Sequence, residues 1–306
     1  MKQSARIALA EALGTMILVV GGPGIAVLAT GGFFDTAGAG THRRRVETGP
    51  HRARAHGTHP TCQSPSMEKL QYLCWAPAGL DASARGSLAR DAIVPKLLSL
   101  RPRGLSMQVD DADADVPVPM PAPEDDPQPF LVVSIWLDRY DDRAPFEAVL
   151  AAECSRIAGY LVTESMYTEY GGNQHGSPRD WADGQRSPGV VMVTLLRRPP
   201  TMSADEWITH WHTVQSPVSE AMQPRMRYVR NAVVRPITPD APPIEGIVEE
   251  AWPSPEHLTD PMLFYCAGDD RELMKNNLSA MLDSVTAFLD LGELRSFTTS
   301  EYLLKT

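Results

Sequence analysis

The sequence predicts an α+β protein made of two ferredoxin-like halves in tandem, pressed together within one chain and preceded by an apolar helix and a disordered linker. Three observations predict it. From Met67 onward the order strand-helix-strand-strand-helix-strand occurs twice. A polar, glycine-rich stretch at 171–188 separates the two copies. One such half covers a single sheet face with its helices, so two halves can cover each other's bare faces.

In the first half, 67–170, "KLQYLCWA" from Lys69 is a strand candidate. A helix is expected over 83–100, where Leu88, Ile93, Leu97 and Leu98 give an apolar face. "LSMQVDDADADV" continues as a strand that frays into acid, and "VPVPMPAPEDDPQP" reads as a loop because proline cannot serve a central strand. "FLVVSIWL" is a strong strand. A helix over 142–157 follows, carrying Phe146, Val149, Leu150 and Cys154, and then the alternating strand "YLVTESMYTEY".

In the second half, 189–306, "GVVMVTLLRR" is a strand and "SADEWITHWHTVQSPVSEAM" a helix. Ser203 with Glu206 three residues later forms a capping box, and Pro224 marks the end. "MRYVRNAVVRPI" and "IEGIVEEAW" are strands, a helix spans 270–291, and "LRSFTTSEYLL" closes the chain. In this fold the space between sheet and helices is an apolar pocket.

Composition excludes several classes. A net charge of −10 argues against nucleic acid as the main partner. Cys62, Cys74, Cys154 and Cys266 form no CxxC pair, so a zinc ribbon or redox motif is not expected; isolated thiols fit a reducing, cytoplasmic setting for 67–306. The acids of "DDADADV" lack the glycine and closing glutamate of a calcium loop, and no phosphate loop or dinucleotide fingerprint occurs. No cofactor and no metal are implied.

The first 66 residues differ in character. They hold seven of the Lys and Arg residues but only three acids, Glu11, Asp35 and Glu47. "IALAEALGTMILVVGGPGIAVLATGGFF" is long enough to cross a bilayer. With Glu11 and Gly14 it resembles the first transmembrane helix of the aquaporin family, over residues 5–34 only. The paired Asn-Pro-Ala motifs of that family are absent, and one helix cannot enclose a pore. Residues 35–66, including the run Arg43–Arg45, have no apolar periodicity and read as a disordered linker. The expectation is a truncated channel fragment, 1–34, joined by fusion or gene-model error to an unrelated protein beginning near Met67. The alternative is a real membrane anchor through 7–34, with Arg43–Arg45 on the cytoplasmic side.

The chemistry concentrates in "DEWITHWHTVQSP". On an α-helix Trp207, His210, Trp211, Val214 and Val218 share one face, with Gln215 at its edge and His212 toward solvent or the flank. Histidines two apart diverge, so His210 and His212 do not make a metal pair. "MVTLLRRPPTMSADEWITHWHTVQSPVSE" is similar to the opening of EthD-domain proteins, members of the dimeric α/β-barrel superfamily. Arg198, Pro199, Trp207, His210, Trp211 and Pro217 carry the resemblance, which is best over 189–306. It implies cofactor-independent chemistry on a small apolar or aromatic compound: oxidation, decarboxylation, dehydration or cyclisation. Where that family carries a histidine before x-Pro, this chain has Gln215, which cannot exchange a proton near neutral pH.

The candidate catalytic residues are therefore His210 and Gln215. Trp207, Trp211, Tyr228, Trp252 and Tyr265 are expected to bind substrate, and His257 and Phe297 are further pocket candidates. Glu249 and Glu250 alternate on a strand; a solvated edge charge is the plainer reading, and a buried carboxylate there would carry a raised pKa. A non-enzymatic binding or accessory protein is the competing reading, and Gln215 favours it.

Overall fold

The computed structural model describes residues 67–117 and 127–306. The apolar helix and linker expected at 1–34 and 35–66 lie outside the described residues, as does the middle of the Pro/Asp loop. Among the described residues, no helix is long and apolar enough to cross a membrane.

Eight antiparallel strands close into a barrel: β1 (Glu68–Trp75), β2 (Gly104–Val109), β3 (Leu131–Leu137), β4 (Arg156–Thr168), β5 (Val190–Leu196), β6 (Arg227–Pro236), β7 (Gly246–Trp252) and β8 (Arg295–Lys305). Around the barrel the order is β4-β1-β3-β2 and then β8-β5-β7-β6, so the first four strands and the last four follow the same relative order. The two runs join where β2 pairs β8 and where β4 pairs β6. This mixed α/β architecture is consistent with a dimeric α/β-barrel. Closure leaves no free sheet edge.

Helices cover the outside. Strands β5 and β7 are buried along their whole length because both faces are covered; β5 accordingly reads as a nearly continuous apolar run, whereas β7 carries Glu249 and Glu250, both buried. The first-half helix is α1 (Ala82–Ser87), a π-helical turn at Leu88–Ile93, and α2 (Val94–Ser99). After α3 (Ala144–Glu153), a helix of the same composite build follows β5: α4 (Ala204–His210), a π turn at Trp211–Gln215, and α5 (Ser216–Met222). Short helices α6 (Glu256–Thr259) and α7 (Pro261–Phe264) precede α8 (Arg271–Thr286).

The two π turns have one cause. Proline has no N–H to give to the carbonyl four residues back, and its ring crowds that carbonyl. Pro95 and Pro217 sit equally far beyond their N-caps, Asp81 and Ser203. Just before each proline the backbone widens: Val94 N–H donates to Ala89 and Ser216 N–H to Trp211, five residues back.

That widening corrects the expected helical stripe. After Trp211 the inward positions are Ser216, Ser219 and Met222, all buried, while Val214 is turned outward and 40% exposed. The helix expected over 142–157 ends at Glu153, because Arg156 already pairs with Trp75 in β4. The last helix stops at Thr286 rather than at 291.

The barrel interior holds two kinds of packing. One region is apolar, with Val132, Tyr160, Val193, Ile247 and Phe297 in a single cluster. The other is a buried charge network centred on Glu249. Its carboxylate accepts from Gln71 (2.6 Å), Gln108 (2.9 Å) and Asn231 (3.0 Å), and pairs with Lys69 and Arg227 at 3.6 and 3.5 Å. Arg227 also donates to Glu301 at 2.9 Å. Glu249 is therefore no solvated edge charge. Burial pushes its pKa up, but Lys69, Arg227 and the amide donors outweigh burial and hold the carboxyl below its ordinary value, not above it. Glu250 faces the opposite side and accepts from buried Arg225 at 2.6 Å.

Cys74 and Cys154 are buried free thiols, whereas Cys266 is exposed.

Candidate functional site

The candidate site lies where the α4–α5 helix crosses the outer face of β6 and β7. Ser203 and Glu206 form the expected capping box: Ser203 Oγ accepts from Glu206 N–H and the Glu206 carboxylate accepts from Ser203 N–H. That start fixes the rotation of the helix, which aims Trp207 and Trp211 at the sheet. Their ring centroids lie 5.0 Å apart, and both are buried with Tyr228, Val248 and Phe288. Gly246 lies directly beneath them. A Cβ there would come within 2.9 Å of the Trp211 ring and 3.2 Å of Trp207, so the absent side chain is what lets the two indoles reach the sheet.

Trp211 Nε1–H donates to the Tyr228 hydroxyl at 3.1 Å. Ser216 Oγ stands 3.3 Å from the same hydroxyl and donates to the Trp211 carbonyl at 2.9 Å. The hydroxyl thus fills the gap opened by the π turn. Tyr228 is pushed above its ordinary pKa by burial, against the pull of Arg225. The Arg225 guanidinium lies 4.0 Å from the Tyr228 ring centroid and is held by Glu250, Ser219 and Glu220.

His210 and Gln215 both turn toward α8. His210 is half-buried, with Nε2 3.1 Å from the Ser284 carbonyl and its ring stacked on Phe288 at 5.1 Å. Gln215 Nε2–H meets Met281 Sδ at 3.3 Å, while its Oε1 is buried without a partner. Trp252 and Tyr265 are not in this group. Trp252 stacks on Phe264 at 4.7 Å in a cluster with Val190 and Leu258, and Tyr265 packs with Met222, Met274 and Met281. Phe297 points into the barrel, and His257 lies in the first turn of α6 with Nδ1 3.0 Å from Ser254 Oγ.

Two groups are gathered here that helical spacing did not single out. His212 is half-buried at the helix flank, edge-on to Trp211 at 5.3 Å, and its Nε2 is buried without a partner. Burial, and after it Arg230, lower its pKa, so the ring is neutral at neutral pH. Arg230, on the helix-facing side of β6, lies 4.8 Å from the Tyr167 ring and donates to Ser216 Oγ at 3.0 Å. Only the π turn brings these residues together, and the signal for it is Pro217 inside a helical run.

Two cavities lined by described residues lie elsewhere. One, of about 100 Å³, is at the barrel mouth between Phe297, Pro242 and Trp75. The other, about 600 Å³ and open, lies beside Arg85, Asp110 and Arg156. Among the described residues, no group of three or more His, Cys, Asp or Glu side chains is placed to hold a metal ion.

No family model and no curated protein matches the chain. Among solved structures it is similar to an anthrone oxidase-like protein, at 11% identity over 80% of this chain and 95% of that one, with a TM-score of 0.43. It is also similar to a protein described as a candidate monooxygenase from Lactobacillus acidophilus, at 10% identity over 78% and 96%, TM-score 0.39. A third is chlorite dismutase from Candidatus Nitrospira defluvii, at 6% identity over 79% and 93%, TM-score 0.40. At these scores the likenesses carry no functional argument, and the fold rests on its own strand topology.

Proposed function

We propose that the chain is an EthD-like protein of two ferredoxin-like halves that takes up a small aromatic or apolar compound at the seam between the α4–α5 helix and the sheet. The observation that carries this reading is a pair of buried, unpartnered polar atoms, His212 Nε2 and Gln215 Oε1, on the two flanks of an aromatic wall formed by Trp207, Trp211 and Tyr228. Leaving a buried polar atom without a partner is costly, and a ligand group is one way to satisfy it. The first half offers no such wall: Ala89 and Val94 stand at the positions of Trp211 and Ser216, so that half serves as structural partner.

As an enzyme, the protein would act without a bound cofactor on a phenol, enol or carbonyl compound. Oxidation, decarboxylation, dehydration and cyclisation are the reactions in question, with His210 and Gln215 the first residues to test. Gln215 can orient an oxygen but cannot move its proton. That residue favours the second reading, a binding or accessory protein without turnover.

Titrating the full chain with a panel of naphthols and hydroxylated anthrones, followed by Trp fluorescence and product analysis, separates the two. Turnover that is lost in His210→Ala supports the enzyme. Binding without turnover in the wild type and in Gln215→His supports the accessory role. No binding by any compound in the panel would contradict both.

A further inference from the structure

Three arginines lie within six residues at the start of β6, and they are not equivalent. Arg225 is paired with Glu250 and Glu220, and Arg227 with Glu249, Glu301 and Glu169. Arg230 has no carboxylate. It is 9% exposed, and every other buried charged side chain among the described residues has an oppositely charged partner.

The bonds that Arg230 does make are few. One amine, Nη1, donates to Ser216 Oγ at 3.0 Å and approaches the His212 carbonyl at 3.5 Å. Nε is buried without a partner, and Nη2 makes no hydrogen bond among the described residues. The neighbouring groups supply no negative charge: the Tyr167 ring, the Tyr228 hydroxyl and a neutral His212. A guanidinium buried in this way is costly unless an anion meets it, and its planar fork matches a carboxylate.

We propose that Arg230 is the anion-recognition residue of the seam, and that the ligand is an aromatic carboxylate. Its ring lies against Tyr167 and its carboxylate takes the free Nε and Nη2 edge of the guanidinium. This rests on the reading of the seam as the ligand site and adds the ligand's charge. It also explains why a binding protein would keep an unpaired charge: the counter-charge arrives with the ligand.

The test uses 2-naphthoate and its neutral counterpart 2-naphthamide, titrated calorimetrically into the full chain. Wild type is expected to prefer the carboxylate by about tenfold or more, the value of a charge-assisted hydrogen bond. In Arg230→Gln and in Arg230→Met that preference falls to about twofold or less. Arg230→Met is expected to melt no lower than wild type in the absence of ligand, since an apolar isostere replaces an unpaired buried charge.

Equal binding of both probes by wild type would overturn the anion assignment while leaving the seam reading intact. No binding of either probe would overturn both. Retention of the preference in either variant would overturn the role of Arg230. So would failure of both variants to fold, because that would show the arginine to be structural.

Discussion

Arg230, His212 and Gly246 show how single residues set the properties of the seam. His212 and His257 are both held below the ordinary imidazole range, chiefly by burial. An imidazole with a lowered folded pKa contributes stability above its unfolded pKa, about 6.5, and loses it as pH falls through the folded value. The melting temperature is therefore expected to decline as pH falls below about 6.5. Replacing both rings by glutamine should flatten that decline in a pH series of thermal melts; an unchanged slope would speak against their burial. Gly246→Ala drives a methyl into two indoles that cannot yield, so it is expected to cost about 1–3 kcal/mol in urea unfolding. A loss under a few tenths of that would mean the tryptophans do not rest on β7. At this scale helical spacing put Trp207 and Trp211 on one face, while Tyr228, on β6, was named as a pocket candidate with no spacing to tie it to them. Arg230 was not legible, because a guanidinium gives no sign in sequence of whether a carboxylate will meet it.

The helix carrying these residues is a composite, and its π turn decides which side chains face the sheet. Trp211 and Ser216 are both buried although five residues apart, so one residue of the turn is surplus to an α-helical stripe. Deleting Thr213 together with Pro217→Ala is expected to yield a folded protein with an uninterrupted helix. The proline has to go as well, since within a continuous helix it would cost about 3 kcal/mol. Deleting Thr209 instead moves Trp207 out of phase with Trp211 and should abolish cooperative unfolding, as read by circular dichroism. If both deletions behave alike, the π turn does not set the register. Cap signals placed the start of this helix well, because the Ser203 and Glu206 pair is local chemistry. The phase after Trp211 was misread, because a uniform period of 3.6 was carried through a proline that interrupts it.

Across the whole molecule, the mixed α/β class was readable from the alternation of strand and helix patterns, and the eight strands close into one antiparallel barrel. What fills the barrel was not readable: Gln71, Gln108 and Glu249 lie far apart in sequence and meet only through closure. Glu249→Ala strips Lys69 and Arg227 of a shared counter-charge and is expected to cost about 3–5 kcal/mol in urea unfolding. A loss below about 1 kcal/mol would mean that the network does not tie β7 to β1 and β2. The same closure leaves the seam on the outer face of the barrel, between the α4–α5 helix and the sheet. A crystal structure of the full chain with 2-naphthoate tests that placement most directly. The account predicts the carboxylate within hydrogen-bond distance of the Arg230 guanidinium and the ring system against Tyr167. Density for the ligand at the barrel mouth beside Phe297 and Pro242, with the seam closed, would contradict it.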